Sequence, residues 1–166
     1  GGSIFLRRYD GSGNELWTGR FGSRPDDKPG GIASAGPGNV YLVGSTRGSF
    51  LGTQVKERSH DDAFIARISE LPLTDATPVP PPPLSPRPSL PPPTPVPVVK
   101  ETWLSVFGTT SEDRGMGMAV DGTGNVYVVG STLGSLPGQT PPGGGDAFLR
   151  KYDSSGAEAW TRQFGT

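Results

Sequence analysis

Apolar and polar residues alternate with a period of two in short runs along most of the chain, and this pattern recurs at several places. In "DAFLRKY", 146–152, Phe148, Arg150 and Tyr152 share one face, while Ala147, Leu149 and Lys151 share the other. In "AWTRQF", 159–164, Trp160 and Phe164 lie on one face. "GMGMAV" and "NVYVVGST" complete a set of four segments, here called a, b, c and d in the order just given. Each is five to eight residues long, rich in β-branched and aromatic side chains, and bounded by Gly, Asp, Asn or Ser. Outside 53–107 no window runs more than ten residues without glycine, so helix is a poor alternative. The chain is expected to be all-β.

The four segments repeat. Residues 3–23 align with 146–166 without a gap, and residues 17–52 align with 103–138. The matched pairs include Trp17/Trp103, Phe21/Phe107, Asp27/Asp113, Gly38/Gly124 and Tyr41/Tyr127, and Trp160 takes the same position as Trp17 and Trp103. "DAFIARI", 62–68, is a third copy of segment a, and the spacing from Trp103 to Trp160 falls in the range of large structural repeats. Segments a and d carry apolar groups on both faces, so each sheet needs a neighbour on either side. A stack or ring of four-stranded antiparallel sheets, propeller-type blades, meets that need. Ten strands make about two and a half such units.

The turns have their own signature. "YDSSGAE", "YDGSGNE" and "VDGTGNV" share Asp-x-x-Gly-(Asn/Ala). An Asp opening a type I turn can accept hydrogen bonds from the backbone two residues on, and Gly takes the left-handed position that closes the turn with a G1 bulge. Gly38 and Gly124 are therefore read as structural positions. A phosphate loop would need a helix after the glycines, and here another strand follows.

Residues 71–101 interrupt this pattern. Thirteen of the 19 prolines lie between Pro72 and Pro97, and polyproline II, a semi-rigid extended conformation, is expected there. The tract falls where a short a–b turn would otherwise be. The expected organisation is a β-repeat module over 1–70 (a-b-c-d-a), a proline-rich spacer over 71–101, and a second module over 102–166 (b-c-d-a-b). Two explanations fit: a junction between two propellers, or subunits that share blades, with the half-units at the termini completed by neighbours. The second would make a filament, because the exposed ends are complementary. The chain starts inside one repeat and stops inside another, which reads as a segment of a longer or processed polypeptide.

Composition narrows the function. The net charge is −1, so no basic field draws in nucleic acid. No apolar run approaches the roughly 18–20 residues that span a bilayer, so membrane insertion is not expected. Cysteine is absent, which excludes disulfides and thiolate metal sites. The single histidine, His60, sits in the polar stretch "ERSHDD", where a solvated side chain is expected. Acidic residues recur in loops, and Asp27 and Asp113 are the candidate calcium ligands. Hydrogen bonding that caps the b–c loop is the preferred role for both, so no cofactor is expected. Trp17, Trp103 and Trp160, with Tyr41 and Tyr127, are read as blade core rather than as sugar platforms. Arg7, Arg8, Arg150 and Lys151 close segment a, and with Glu15 and Glu158 across the turn they suit cross-strand ion pairs.

The combination "DAFLRKYDSSGAEAWTRQFGT" and "EDRGMGMAVDGTGNVYVVGST" resembles the SBBP-type β-propeller repeat, found in secreted and surface proteins of bacteria and archaea. The likeness covers nearly all of 3–70 and 102–166. It implies propeller blades and extracellular or cell-surface exposure, and it implies no catalytic residues. Two departures stand out: there are too few blades for a closed ring, and the proline tract splits one unit. The leading reading is a non-catalytic extracellular scaffold that self-associates through its incomplete repeats as a filament subunit. A propeller-type module binding carbohydrate or protein, and an accessory domain of a larger secreted enzyme, are the alternatives.

Overall fold

The computed structural model describes residues 4–21, 27–36, 38–48, 59–70, 99–140 and 144–165. All regular structure among them is strand. In chain order these are β1 (Ile4–Tyr9), β2 (Glu15–Phe21), β3 (Lys28–Ser34), β4 (Asn39–Thr46), β5 (Asp62–Glu70), β6 (Val99–Phe107), β7 (Asp113–Val120), β8 (Val126–Thr132), β9 (Asp146–Tyr152) and β10 (Glu158–Phe164). They follow the a-b-c-d order read from the sequence.

The strands form three antiparallel sheets: the pair β1–β2, the meander β3–β4–β5–β6, and the meander β7–β8–β9–β10. Each four-stranded sheet therefore runs c-d-a-b. The sheet boundaries differ from the expected modules. β5 and β6 pair in register from Ala63↔Phe107 to Glu70↔Val99, so the sheet continues across the proline-rich stretch. That stretch joins neighbouring strands of one blade, as an a–b connection does, and is not a junction between two sheets. The polyproline II expectation itself lies outside the described residues, except at its C-terminal edge, where β6 already begins at Val99.

Turn chemistry sets the register as the sequence indicated. At 121–125, Gly124 N–H donates to the Asp121 carbonyl (3.0 Å) and Asp121 N–H to the Asn125 carbonyl (3.0 Å). Asp121 Oδ1 accepts from the backbone N–H of Thr123 and of Asn125. Gly124 has φ +83°, in the left-handed region, and Gly13 and Gly156 repeat that conformation in the a–b turns. These hydrogen bonds to the charged form, led by the one from the Asn125 side chain, hold the Asp121 carboxyl well below the usual range. Asp10 and Asp153 are lowered for the same kind of reason. Ala35 stands where Asp121 does and keeps only the backbone bond to Asn39 (3.1 Å).

The sheets stack face to face, and two cores fill the spaces between them. For each sheet, "upstream" here means facing its N-terminal neighbour in the chain and "downstream" facing the C-terminal one. Between the first and middle sheets lie Ile4 and Phe21 against Leu42, Phe64, Ala66 and Ile68. Between the middle and last sheets lie Tyr41, Val43, Ile65 and Phe107 against Val126, Val128, Phe148 and Tyr152. The middle sheet is thus buried on both faces, as its two-faced sequence requires.

The c strands converge. β7 packs against β3, β4 and β5. A Cβ on Gly30 would lie 2.0 Å from the Gly115 carbonyl oxygen, so a side chain at this point would force the two c strands apart. Close approach at one edge and a four-strand meander outward from it is the arrangement of blades around a propeller axis.

Candidate interaction surfaces

The boundary between the middle and last sheets is the best-defined site in the molecule, and the repeated residues build it. Trp103 on β6 packs between Tyr41 (ring centroids 5.9 Å apart) and Tyr152 (5.8 Å). Phe107 meets Phe148 edge-on at 5.5 Å, and the Arg150 guanidinium lies over the Phe107 ring at 3.9 Å. The same arginine pairs with Glu158 at 3.2 Å, and Glu158 accepts a hydrogen bond from Thr161 Oγ1 (2.6 Å). A guanidinium removed from water is thereby given a carboxylate and an aromatic face, which offset its desolvation. Burial pushes the neighbouring Tyr152 phenol up, against a hydrogen-bonding contact with Ser105 Oγ at 3.2 Å. At the end of the last a–b turn, a Cβ on Gly156 would collide with the Trp103 ring at 2.6 Å. Arg67 Nη1 reaches across to the Ser154 carbonyl.

A charged pin crosses the same boundary at the other end of the strands. The Asp61 carbonyl accepts from Asp113 N–H at 2.7 Å, linking the d–a loop of the middle sheet to the start of β7. The fully buried Asp61 carboxylate receives Lys28 Nζ (2.8 Å) and Arg47 Nε, with Arg114 Nε at 3.9 Å. Burial raises this carboxyl, but the hydrogen bonds and charges of Lys28 and Arg47 outweigh it and hold it below the usual carboxylate range. In the sequence Asp61 is one of several acidic residues that recur in loops. Gly145 occupies its position in the last repeat, so the repeat pattern carried no signal for it.

The candidate calcium residues are not brought together. Asp27 accepts from Thr46 Oγ1 (2.6 Å) in the middle sheet. Asp113 accepts from the backbone N–H and the hydroxyl of Thr109, which caps the b–c loop. Asp113 instead approaches Asp62: a Cβ on Gly108 would lie 2.6 Å from Asp113 Oδ2 and 2.5 Å from Asp62 Oδ1. Among the described residues no group of three or more His, Asp or Glu side chains could hold a metal ion. His60 is half-buried rather than solvated, with Nε2 at 3.9 Å from Asp62 Oδ1.

Trp17 is buried on the downstream face of the first sheet, against the middle one. Trp160 is half-buried on the downstream face of the last sheet, with Tyr127 at 6.3 Å. This pair copies Trp103 and Tyr41, one blade further on. The arginine pairs expected across the a–b turns form in both places, Arg7–Glu15 at 3.3 Å and Arg150–Glu158 at 3.2 Å.

A groove of about 510 Å³ runs between the first sheet and β3–β4, lined in part by Leu6, Arg7, Tyr9, Trp17, Ile32 and Val40. Among the described residues no c or d strand pairs with β1–β2. The inner part of this boundary is therefore less filled than its counterpart. Ile32 stands exposed there, while Met118, at the same repeat position, packs on the core.

Stacked four-strand c-d-a-b sheets with converging c edges define a propeller-type repeat protein. The comparison with protein families agrees: the SBBP family model, a beta-propeller repeat, matches residues 105–137, from the end of β6 through β8 and beyond. No curated protein matches the chain. A repeat of this kind serves as a scaffold or as a binding module.

Proposed function

We propose that this chain is a non-catalytic structural scaffold acting outside the cell or at its surface. The observation that carries this reading is what its chemically capable side chains do. Arg150 over Phe107 and the Asp113 N–H bond to the Asp61 carbonyl hold one blade to the next, and the Arg150–Glu158 and Lys28–Asp61 pairs brace those groups within their own sheets. Extracellular placement is what the likeness to SBBP repeats implies. The test is a membrane-impermeant crosslinker applied to intact cells that produce the protein. Crosslinking of the chain into larger species is expected, and a chain left unmodified in intact cells but modified after lysis would overturn the reading.

The groove favours a second reading, a module that binds carbohydrate or protein. Its apolar floor, with Leu6, Trp17, Ile32 and Val40 beside Arg8, suits a ligand carrying both apolar and anionic or hydroxyl groups. Screening glycan and peptide arrays with the protein and its Ile32→Asp variant tests it. A ligand lost in the variant would support binding there, and no ligand, or one unaffected by the variant, would sink this reading.

A further inference from the structure

The two c strands converge at Gly30 and Gly115, and both carry a β-bulge at the same repeat position. Pairing steps from Pro29↔Gly44 to Gly31↔Val43 in the middle sheet and from Gly115↔Gly130 to Gly117↔Val129 in the last one, so Gly30 and Met116 are the extra residues. By strict alternation Met116 would share a face with Met118 and Val120, both packed on the core. The bulge re-aims it outward, where it is 54% exposed.

Two residues before each bulge stands a cation, Lys28 in β3 and Arg114 in β7. Both reach the same oxygen: Lys28 Nζ lies 2.8 Å and Arg114 Nε 3.9 Å from Asp61 Oδ2. The buried Asp61 carboxylate thus holds the two cations side by side, while their side chains stay 54% and 46% exposed. Arg114 Nη2 also donates to Glu112 at 2.7 Å. An ammonium has three donors and a guanidinium five, so these carboxylates leave donors for solvent or a ligand. Beside the two cations opens a cavity of about 510 Å³, lined by Lys28, Pro29, Ser45, Arg114 and Met116 around the Gly30–Gly115 contact. Among the described residues no carboxylate lines it, and the nearby Asp27 and Asp113 turn to Thr46 and Thr109. Every lining residue comes from β3, β4 or β7, so the two four-stranded sheets build the cavity by themselves.

We propose that this cavity binds a small organic carboxylate with an aliphatic or aromatic body. Its two oxygens bridge Lys28 and Arg114, as the Asp61 carboxylate does from the buried side. Its body lies against Pro29 and the adaptable Met116 thioether. The volume falls within the range of small-molecule sites. A bare oxyanion such as sulfate would use the cations but not the apolar side chain that the bulge brings out beside them. Lys28 belongs to the middle sheet and Arg114 to the last, so the ligand fastens one blade to the next and stabilises the folded chain. The site shares no residue with the groove beside β1–β2.

The chain's two methionines make the test direct, because Met116 lines the cavity and Met118 packs on the core. The whole chain, isotope-labelled at its methionine methyls, is titrated with hexanoate at constant ionic strength and followed by NMR. The Met116 methyl resonance is expected to shift and saturate with Met118 in place, and the melting temperature to rise. Hexanamide keeps the body without the charge, and acetate keeps the charge without the body. Each is expected to bind roughly tenfold more weakly than hexanoate. Arg114→Gln is expected to weaken hexanoate binding roughly tenfold, and Arg114→Lys less than about threefold. An unmoved Met118 resonance in each variant shows that the blade is intact. Four outcomes would each overturn the proposal: a Met116 methyl that does not saturate, hexanamide binding as tightly as hexanoate, sulfate or acetate giving the same saturable shift (an adventitious ion only), or a folded Arg114→Gln variant that binds as the parent does. Should Arg114→Gln fail to fold, the comparison of hexanoate, hexanamide and acetate on the parent decides.

Discussion

The hairpins β1–β2 and β9–β10 are two versions of one stretch of sequence, and they end in opposite surroundings. Both hold an arginine–glutamate–threonine set on the upstream face, close their turn with a left-handed glycine, and carry Trp and Phe on the downstream face. In β1–β2 the downstream aromatics, Trp17 and Phe21, are buried and the upstream Phe5 and Tyr9 are exposed. In β9–β10 the order is reversed: Phe148 and Tyr152 are buried, and Phe164 is exposed. Nothing local differs enough to explain this. Burial here belongs to the boundary between two sheets, and each hairpin shows the face that has no neighbouring sheet among the described residues. Neither face could therefore have been ranked from its own residues.

The largest effect expected from this comparison is at the tryptophans. Trp103 is enclosed by Tyr41, Tyr152 and the Gly156 backbone, so Trp103→Ala should cost about 3–5 kcal/mol in thermal or denaturant unfolding. Trp160 has the same sequence environment but, among the described residues, only Tyr127 as an aromatic neighbour. Trp160→Ala should cost less than half as much. Equal losses at the two sites would mean that the sheet boundary contributes little and the comparison fails.

A smaller effect separates backbone strain from the interface itself. Gly13 and Gly156 have φ of +86° and +92°, so alanine at either position carries a left-handed penalty of about 1–2 kcal/mol. A methyl at Gly13 meets open space, whereas one at Gly156 strikes the indole of Trp103. Gly156→Ala should therefore lose about 1–3 kcal/mol more than Gly13→Ala. In Gly156→Ala with Trp103→Ala, that excess should vanish. An excess that survives the loss of the indole would place the strain elsewhere.

The strands, their faces and the turn glycines were legible because each is written locally and then written again. Period-two alternation assigned Phe148, Arg150 and Tyr152 to one face, and Asp-x-x-Gly placed the left-handed residues. What could not be read was which strands share a sheet across 71–98. Proline marks a break in local structure, and composition says nothing about whether the flanking strands pair. Loop closure entropy grows only logarithmically, so replacing a tight a–b turn by a tract of this length costs on the order of 1–2 kcal/mol, which the ladder from Ala63 to Glu70 can overcome. Asp61 was hidden for the opposite reason. It departs from the repeat, and its three cationic neighbours come from β3, the end of β4 and β7, which only the stacked fold assembles.

That departure makes the two downstream boundaries unequal, and acid should reveal it. The Asp61 carbonyl joins the middle sheet to β7 and its carboxylate, held by Lys28 and Arg47 of its own sheet, reaches Arg114 of the last one at 3.9 Å, whereas Gly145 gives the last sheet no equivalent side chain. Removing its charge with Asp61→Asn should cost about 2 kcal/mol at pH 7, moderated because Lys28, Arg47 and Arg114 are solvent-accessible and can be hydrated instead. Because the folded-state value is depressed below the ordinary value of about 3.9, the contribution is complete above that pH and is lost as the pH falls through the folded value. The parent's melting temperature should therefore fall between about pH 4 and pH 2, and Asp61→Asn should fall less. Asp10, Asp121 and Asp153, also lowered, add a decline common to both proteins. The gap between the two should narrow as acid protonates Asp61. A gap that stays constant from pH 7 to pH 2 would mean that Asp61 holds the boundary through its shape and its backbone bond to Asp113, and not through its charge.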